Sequence, residues 1–143
     1  MKSKLILMCA VVAVSVSLLA CSAPAKQASV EVPCDDFYKQ AAISQEVKVP
    51  ADSSLTVTLC SNPTTGFQWE EAQISDQTVL QETSHKFVSP ESEPPPPPGT
   101  PGQEVWTFQT LKKGTSTISI DYSRPWEGGE KGTWKFSLTV VVE

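Results

Sequence analysis

The chain has 143 residues, with 11 Lys and Arg against 16 Asp and Glu, one histidine and four cysteines. The resulting formal charge of −5 excludes nucleic acid and anionic membrane surfaces as charge-matched partners, because both demand clustered Lys and Arg. A single imidazole and so few thiols leave too small a donor set for a zinc site.

In chain order, Lys2 and Lys4 precede an apolar run from Leu5 to Ala20. That run is shorter than the roughly 20 residues that span a bilayer comfortably. A charged start, an apolar middle and small residues before a cut read as a secretory signal peptide over residues 1–20. Cys21, directly after Leu18-Leu19-Ala20, resembles the acylated cysteine of the bacterial lipoprotein signal. It is the expected lipidation site, with residues 21–42 as attachment site and tether; an uncleaved signal anchor is the alternative. Either way the remainder lies outside the cytoplasm, at the cell envelope, and the lipid would hold it to the membrane. Cleavage removes Cys9 and acylation uses Cys21, which leaves Cys34 and Cys60. In an oxidising compartment two remaining thiols suggest one disulfide; two reduced, buried thiols are the other possibility. The loss of Lys2 and Lys4 makes the mature chain more acidic still.

Residues 43–143 are of a length for one domain. Helical periodicity is weak, with a turn or two possible between Asp35 and Ala42. Period-two alternation is strong. Leu55, Val57 and Leu59 alternate with threonines; Ile118, Ile120 and Tyr122 alternate with polar residues; Trp134, Phe136, Leu138, Val140 and Val142 share one face. Such segments are half-buried strands. Strands are expected near residues 45–49, 54–60, 67–73, 78–87, 103–109, 115–122 and 133–142, separated by Pro, Asn and Gly turns. About seven short strands at this spacing predict an all-β fold, an immunoglobulin-like antiparallel β-sandwich. Residues 90–102 interrupt the pattern with five consecutive prolines, Pro94 to Pro98. Such a tract forms a stiff polyproline II strut, or a variable insertion in an exposed loop.

Enzyme chemistry finds no footing. His85 lies in an expected strand without a nucleophile motif beside it, and Glu70 and Glu71 would point to opposite faces of a strand. No phosphate loop, Gly-x-Ser-x-Gly or metal-spaced cluster appears, so no catalytic residue, metal or cofactor is expected. The loops are more informative. In Asn62-Pro63-Thr64-Thr65-Gly66-Phe67, Pro63 sets its own φ and pushes Asn62 to an extended conformation. Gly66 is free to take positive φ and turn the chain into the next strand. Arg124-Pro125-Trp126 joins an aromatic, a proline and a guanidinium in a second loop, residue types favoured as binding anchors. If seven strands alternate in direction, these two loops share one end of the sandwich with the proline-rich loop. That end is a paratope-like surface.

These residues resemble the chagasin family of cysteine peptidase inhibitors. Its pattern is an Asn-Pro-Thr-Thr-Gly-aromatic loop, a glycine-rich loop before a Trp-containing strand, and an Arg-Pro-Trp loop after a Tyr-ended strand. Here these are Asn62 to Phe67, then Gly99-Thr100-Pro101-Gly102 ahead of Trp106, then Tyr122 and Arg124-Pro125-Trp126. The chain departs from the pattern in the second loop, where prolines intrude. The resemblance implies a monomeric, reversible inhibitor whose partner is a papain-like cysteine peptidase. Its central loop would enter the active-site cleft with Thr64 nearest the catalytic thiol, while Gly99, Gly102, Arg124, Pro125 and Trp126 grip the walls. A non-inhibitory envelope module for adhesion or complex assembly would use the same loops.

Overall fold

The computed structural model describes residues 26–92 and 94–143; the expected signal peptide and the expected lipidation site, Cys21, lie outside the described residues. Nine strands occur among the described residues: β1 (Gln27–Val32), β2 (Ala42–Val49), β3 (Ser54–Ser61), β4 (Gln68–Trp69), β5 (Gln73–Ile74), β6 (Leu80–Val88), β7 (Gly102–Thr110), β8 (Gly114–Ser123) and β9 (Trp134–Val142). One short helix, α1 (Cys34–Phe37), stands between β1 and β2. The strands form two sheets, ordered β1-β3-β7-β6 and β2-β9-β8-β4, with β5 also paired to β8. The expected immunoglobulin-like sandwich is the observed architecture.

Alternation drives the packing. Leu55, Val57 and Leu59 of β3 and Trp106 and Phe108 of β7 face Ile118, Ile120 and Tyr122 of β8 and Phe136, Leu138 and Val140 of β9, all nearly fully buried. Each such side chain contributes on the order of 1.5–3 kcal/mol when taken from water.

Three departures from the expected pattern matter for the loops. First, β1 runs through the segment read as tether: Val30 pairs with Val57 and Val32 with Leu59, so the chain is part of the fold from Gln27 onward. Second, β1 pairs with β3 and β2 with β9 in parallel, while the remaining pairs are antiparallel. The reason is topological, since residues 33–41 cross from one sheet to the other at one end. Third, the strand expected over 67–73 is two short pieces. Trp69 pairs with Tyr122 and Ile74 with Ile118, which leaves one extra residue on this side, a bulge at Glu70-Glu71-Ala72.

A second bulge, between Glu82 and Ser84 of β6, shifts the alternation. His85 and Phe87 thereby come opposite Trp106 and Glu104, on the inner face of the sheet at its open edge. The far pole of the sandwich is closed by Thr110, whose Oγ1 donates to the Pro50 carbonyl (2.8 Å) and accepts from the Ser53 N–H (2.8 Å). Lys26 also lies there, its carbonyl accepting from the Ser54 N–H at 3.0 Å.

Candidate functional site

The connections β3–β4, β6–β7 and β8–β9 meet at the opposite pole. Asn62 has φ −129° and ψ 85°, short of a fully extended conformation, Pro63–Thr65 form a single 3-10 turn, and Gly66 is left-handed at φ 81°. Asn62 organises the turn. Its carbonyl accepts from the Thr65 N–H (3.1 Å) and the Thr65 hydroxyl (2.7 Å), and its Oδ1 accepts from the Thr64 hydroxyl (2.6 Å). Its backbone N–H donates to the Tyr122 hydroxyl at 2.8 Å. Both threonine hydroxyls are therefore tied back into the loop, while the side chains of Pro63, Thr64 and Thr65 remain exposed.

The other two loops are fastened to this one. Asn62 Nδ2 donates to the carbonyl of Gly99 (2.9 Å), which itself sits at φ 86°. Arg124 reaches across with one guanidinium nitrogen to the Thr65 carbonyl (3.3 Å) and the other to Glu130 (3.1 Å). The guanidinium also lies 4.5 Å over the Phe67 ring. Lys131 donates to the carbonyls of Arg124 (2.6 Å) and Trp126 (3.3 Å), so the Arg-Pro-Trp segment is held in a closed turn. Trp126 is 51 % exposed, yet its indole packs against Gly66: a Cβ on that glycine would come 2.5 Å from the ring. The tight turn thus requires glycine at position 66 twice over, for its φ and for the contact.

The expected contact residues separate into two groups. Pro63, Thr64, Thr65, Gly99, Pro125 and Trp126 are at the surface. Phe67 is not: it is buried, stacked on Tyr122 at 5.5 Å and edge-on to Trp134 at 5.3 Å. Gly102 is buried too, because a side chain there would strike the Val88 carbonyl and the Phe87 ring. These two belong to the foundation of the site rather than its face. Arg124 braces one loop against another.

Beneath the central loop lies a polar network that loop chemistry does not reveal. Glu104, nearly buried, accepts from the Ser61 hydroxyl (2.8 Å) and pairs through its other oxygen with His85 Nε2 (2.6 Å). The imidazole stacks on Trp106 at 4.4 Å, so His85 is a strand residue serving structure. Ser61 directly precedes Asn62, and this network fixes the end of β3 from which the loop springs. Its signal is present in β7, where Glu104 shares the inward period with Trp106 and Phe108.

Cys34 and Cys60 form a disulfide, which attaches α1 to the end of β3. Closing a loop of sequence separation 26 stabilises the fold by about 3.5 kcal/mol in the chain-entropy treatment. Phe37 packs among Trp69 (5.3 Å), Tyr122 (5.3 Å) and Trp134 (5.6 Å). Tyr38 follows, half exposed. Burial pushes its phenol above the ordinary value, Tyr122 adds to this, and a hydrogen bond with the Asn62 side chain pulls it part of the way back.

A sandwich that holds rigid, exposed loops at one pole, fastened to each other and to the core, defines a binding module. Residues 48–140 match the sequence model of the chagasin family peptidase inhibitor I42, and the chain belongs to that family, one of inhibitors rather than enzymes. Among curated relatives, Amoebiasin-2 of Entamoeba histolytica is 32% identical over 88 residues, 62% of this chain and 69% of the relative. In fold, the chain is similar to the cysteine protease inhibitor EhICP2 from the same organism, with a TM-score of 0.61 at 21% identity. That likeness covers 82% of this chain and 97% of the other. It is also similar to PbICP-C, solved in complex with falcipain-2, with a TM-score of 0.51 at 15% identity over 80% and 96% of the two chains.

Proposed function

We propose that this protein is a reversible, non-covalent inhibitor of papain-like cysteine peptidases, and that it occludes the active-site cleft with the loop Asn62 to Gly66. The single observation that carries this reading is the fastening of three loops into one rigid surface that leaves Pro63, Thr64, Thr65 and Trp126 outward. A surface already ordered loses little freedom on binding. The likeness to EhICP2, a cysteine protease inhibitor, and to PbICP-C, solved in complex with falcipain-2, supports a cysteine protease as the class of target.

The same geometry would protect the loop from cleavage. A peptidase attacks a carbonyl presented on a favourable trajectory. Here the Asn62 and Pro63 carbonyls are engaged by the Thr65 and Gly66 N–H groups inside a 3-10 turn, so neither is free to align with a catalytic thiolate. Thr64, at the exposed tip, is the residue that would approach the thiol, with Gly99 on one flank and Pro125 and Trp126 on the other.

The proposal includes a lipid on Cys21 and display at the cell envelope. The fold suits this arrangement. Lys26 lies at the far pole, so a lipid five residues upstream, within at most about 18 Å of chain, would hold that pole to the membrane and turn the loops away from it. The test is a titration of papain with residues 22–143, within which all nine described strands lie. The expected result is one-to-one loss of activity, relieved on dilution. Combined Thr64→Arg and Trp126→Ala replacement should abolish inhibition while leaving the circular dichroism spectrum intact.

A further inference from the structure

The strands expected from sequence begin at β2 and give three loops at the binding pole. With β1 in place there is a fourth connection, residues 33–41, because β1 runs towards this pole beside β3 and β2 leaves it beside β9. The Cys34–Cys60 bond holds this segment against the strand that feeds the central loop. Its exposed aromatic side chain is Tyr38, 50 % accessible, matching Trp126 at 51 %.

Between these two aromatics runs a continuous chain of contacts. Tyr38 meets Trp134 edge-on at 6.3 Å, and Trp134 meets Phe67 at 5.3 Å. Phe67 carries the Arg124 guanidinium at 4.5 Å, and that guanidinium lies 5.9 Å from the Trp126 ring. Trp134 is partly buried and Phe67 buried. Tyr38 and Trp126 are therefore the two exposed ends of a ladder whose middle lies beneath the central loop. Aromatic residues supply large contact area at low conformational cost and are enriched among binding anchors. One part of the Tyr38 ring packs on Phe37 and Trp134, and the half left in water stands beside the central loop.

We infer that the peptidase-binding surface has a fourth part, residues 33–41, in which Tyr38 contacts the wall of the cleft on the side of the central loop away from Trp126. This rests on the inhibitor reading above, and the experiment separates the two.

Inhibition constants would be measured for residues 22–143 and for Tyr38→Ala and Tyr38→Phe against a papain-like peptidase. Hydroxyl-radical footprinting would be carried out on the free and complexed inhibitor. The chain has two tyrosines, and Tyr122 is buried, so tyrosine oxidation in the free protein reports on Tyr38. Expected are a roughly tenfold weaker inhibition constant for Tyr38→Ala, little change for Tyr38→Phe, and protection of Tyr38 in the complex. An unprotected Tyr38 overturns the inference, even if Tyr38→Ala weakens binding, because the residue would then act only through the fold. Protection without any loss in Tyr38→Ala overturns it as well, because Tyr38 would then be covered in the complex without contributing to binding. A wild-type chain that inhibits no papain-like peptidase removes the inhibitor reading itself, and this inference with it.

Discussion

Gly66 shows how much of the site depends on one backbone position. Its φ of 81° is the left-handed region, and the Trp126 indole occupies the space a Cβ would need. Gly66→Ala should cost about 2 kcal/mol, from a strained non-glycine conformation together with a displaced indole. That corresponds to roughly 8 °C in Tm for a domain of this size, with a larger loss of inhibition than of stability. Differential scanning calorimetry and an inhibition constant measure the two; an unchanged Tm would show that the turn can reform around a side chain. Glu104 is the second such residue. Glu104→Ala leaves the Ser61 hydroxyl and His85 without their shared acceptor, which should cost about 1–3 kcal/mol in urea unfolding. Glu104→Gln keeps an acceptor and should cost less. Equal losses from both would mean that the carboxylate charge, not its geometry, holds β3.

At the scale of elements, the disulfide joins α1 to β3 at the root of the central loop. Cys34→Ser with Cys60→Ser should lower the unfolding free energy by about 3.5 kcal/mol, read as a lower denaturant midpoint. Identical midpoints for the double variant and the wild type would show that Phe37 packing alone secures α1. The elements also explain what is legible in the sequence. β3, β8 and β9 announce themselves because alternate residues are branched or aromatic and their turns carry Pro, Asn or Gly. β1 hides, since Gln27–Val32 has only Ala28, Val30 and Val32 on its inner face and is separated from the expected lipidation site, Cys21, by a short Ser, Ala, Pro and Lys stretch that reads as tether. β6 misleads for another reason: its bulge after Glu82 exchanges the faces, so His85 and Phe87 turn inward where unbroken alternation would send Ser84 and Lys86. The loop motif discloses the exposed tip at Thr64 and Thr65. It does not disclose that Phe67 and Gly102 lie beneath the surface, because an aromatic or a glycine next to a turn serves equally well as contact or as foundation.

For the whole molecule, the two poles divide the work. The far pole gathers Lys26, Pro50, Ser53 and Thr110 in backbone and hydroxyl bonds. The binding pole gathers four connections, a disulfide and a stack of aromatics running from Phe37 through Trp69 and Tyr122 to Phe67. The disulfide and the aromatic stack thus lie under the surface that the proposed function assigns to peptidase binding. The measurement that bears most directly on this account is the titration of papain with residues 22–143. The account predicts activity falling linearly to zero at one equivalent, with the inhibitor recovered uncleaved. Undiminished activity at micromolar inhibitor, for papain and for other peptidases of its class, would contradict it.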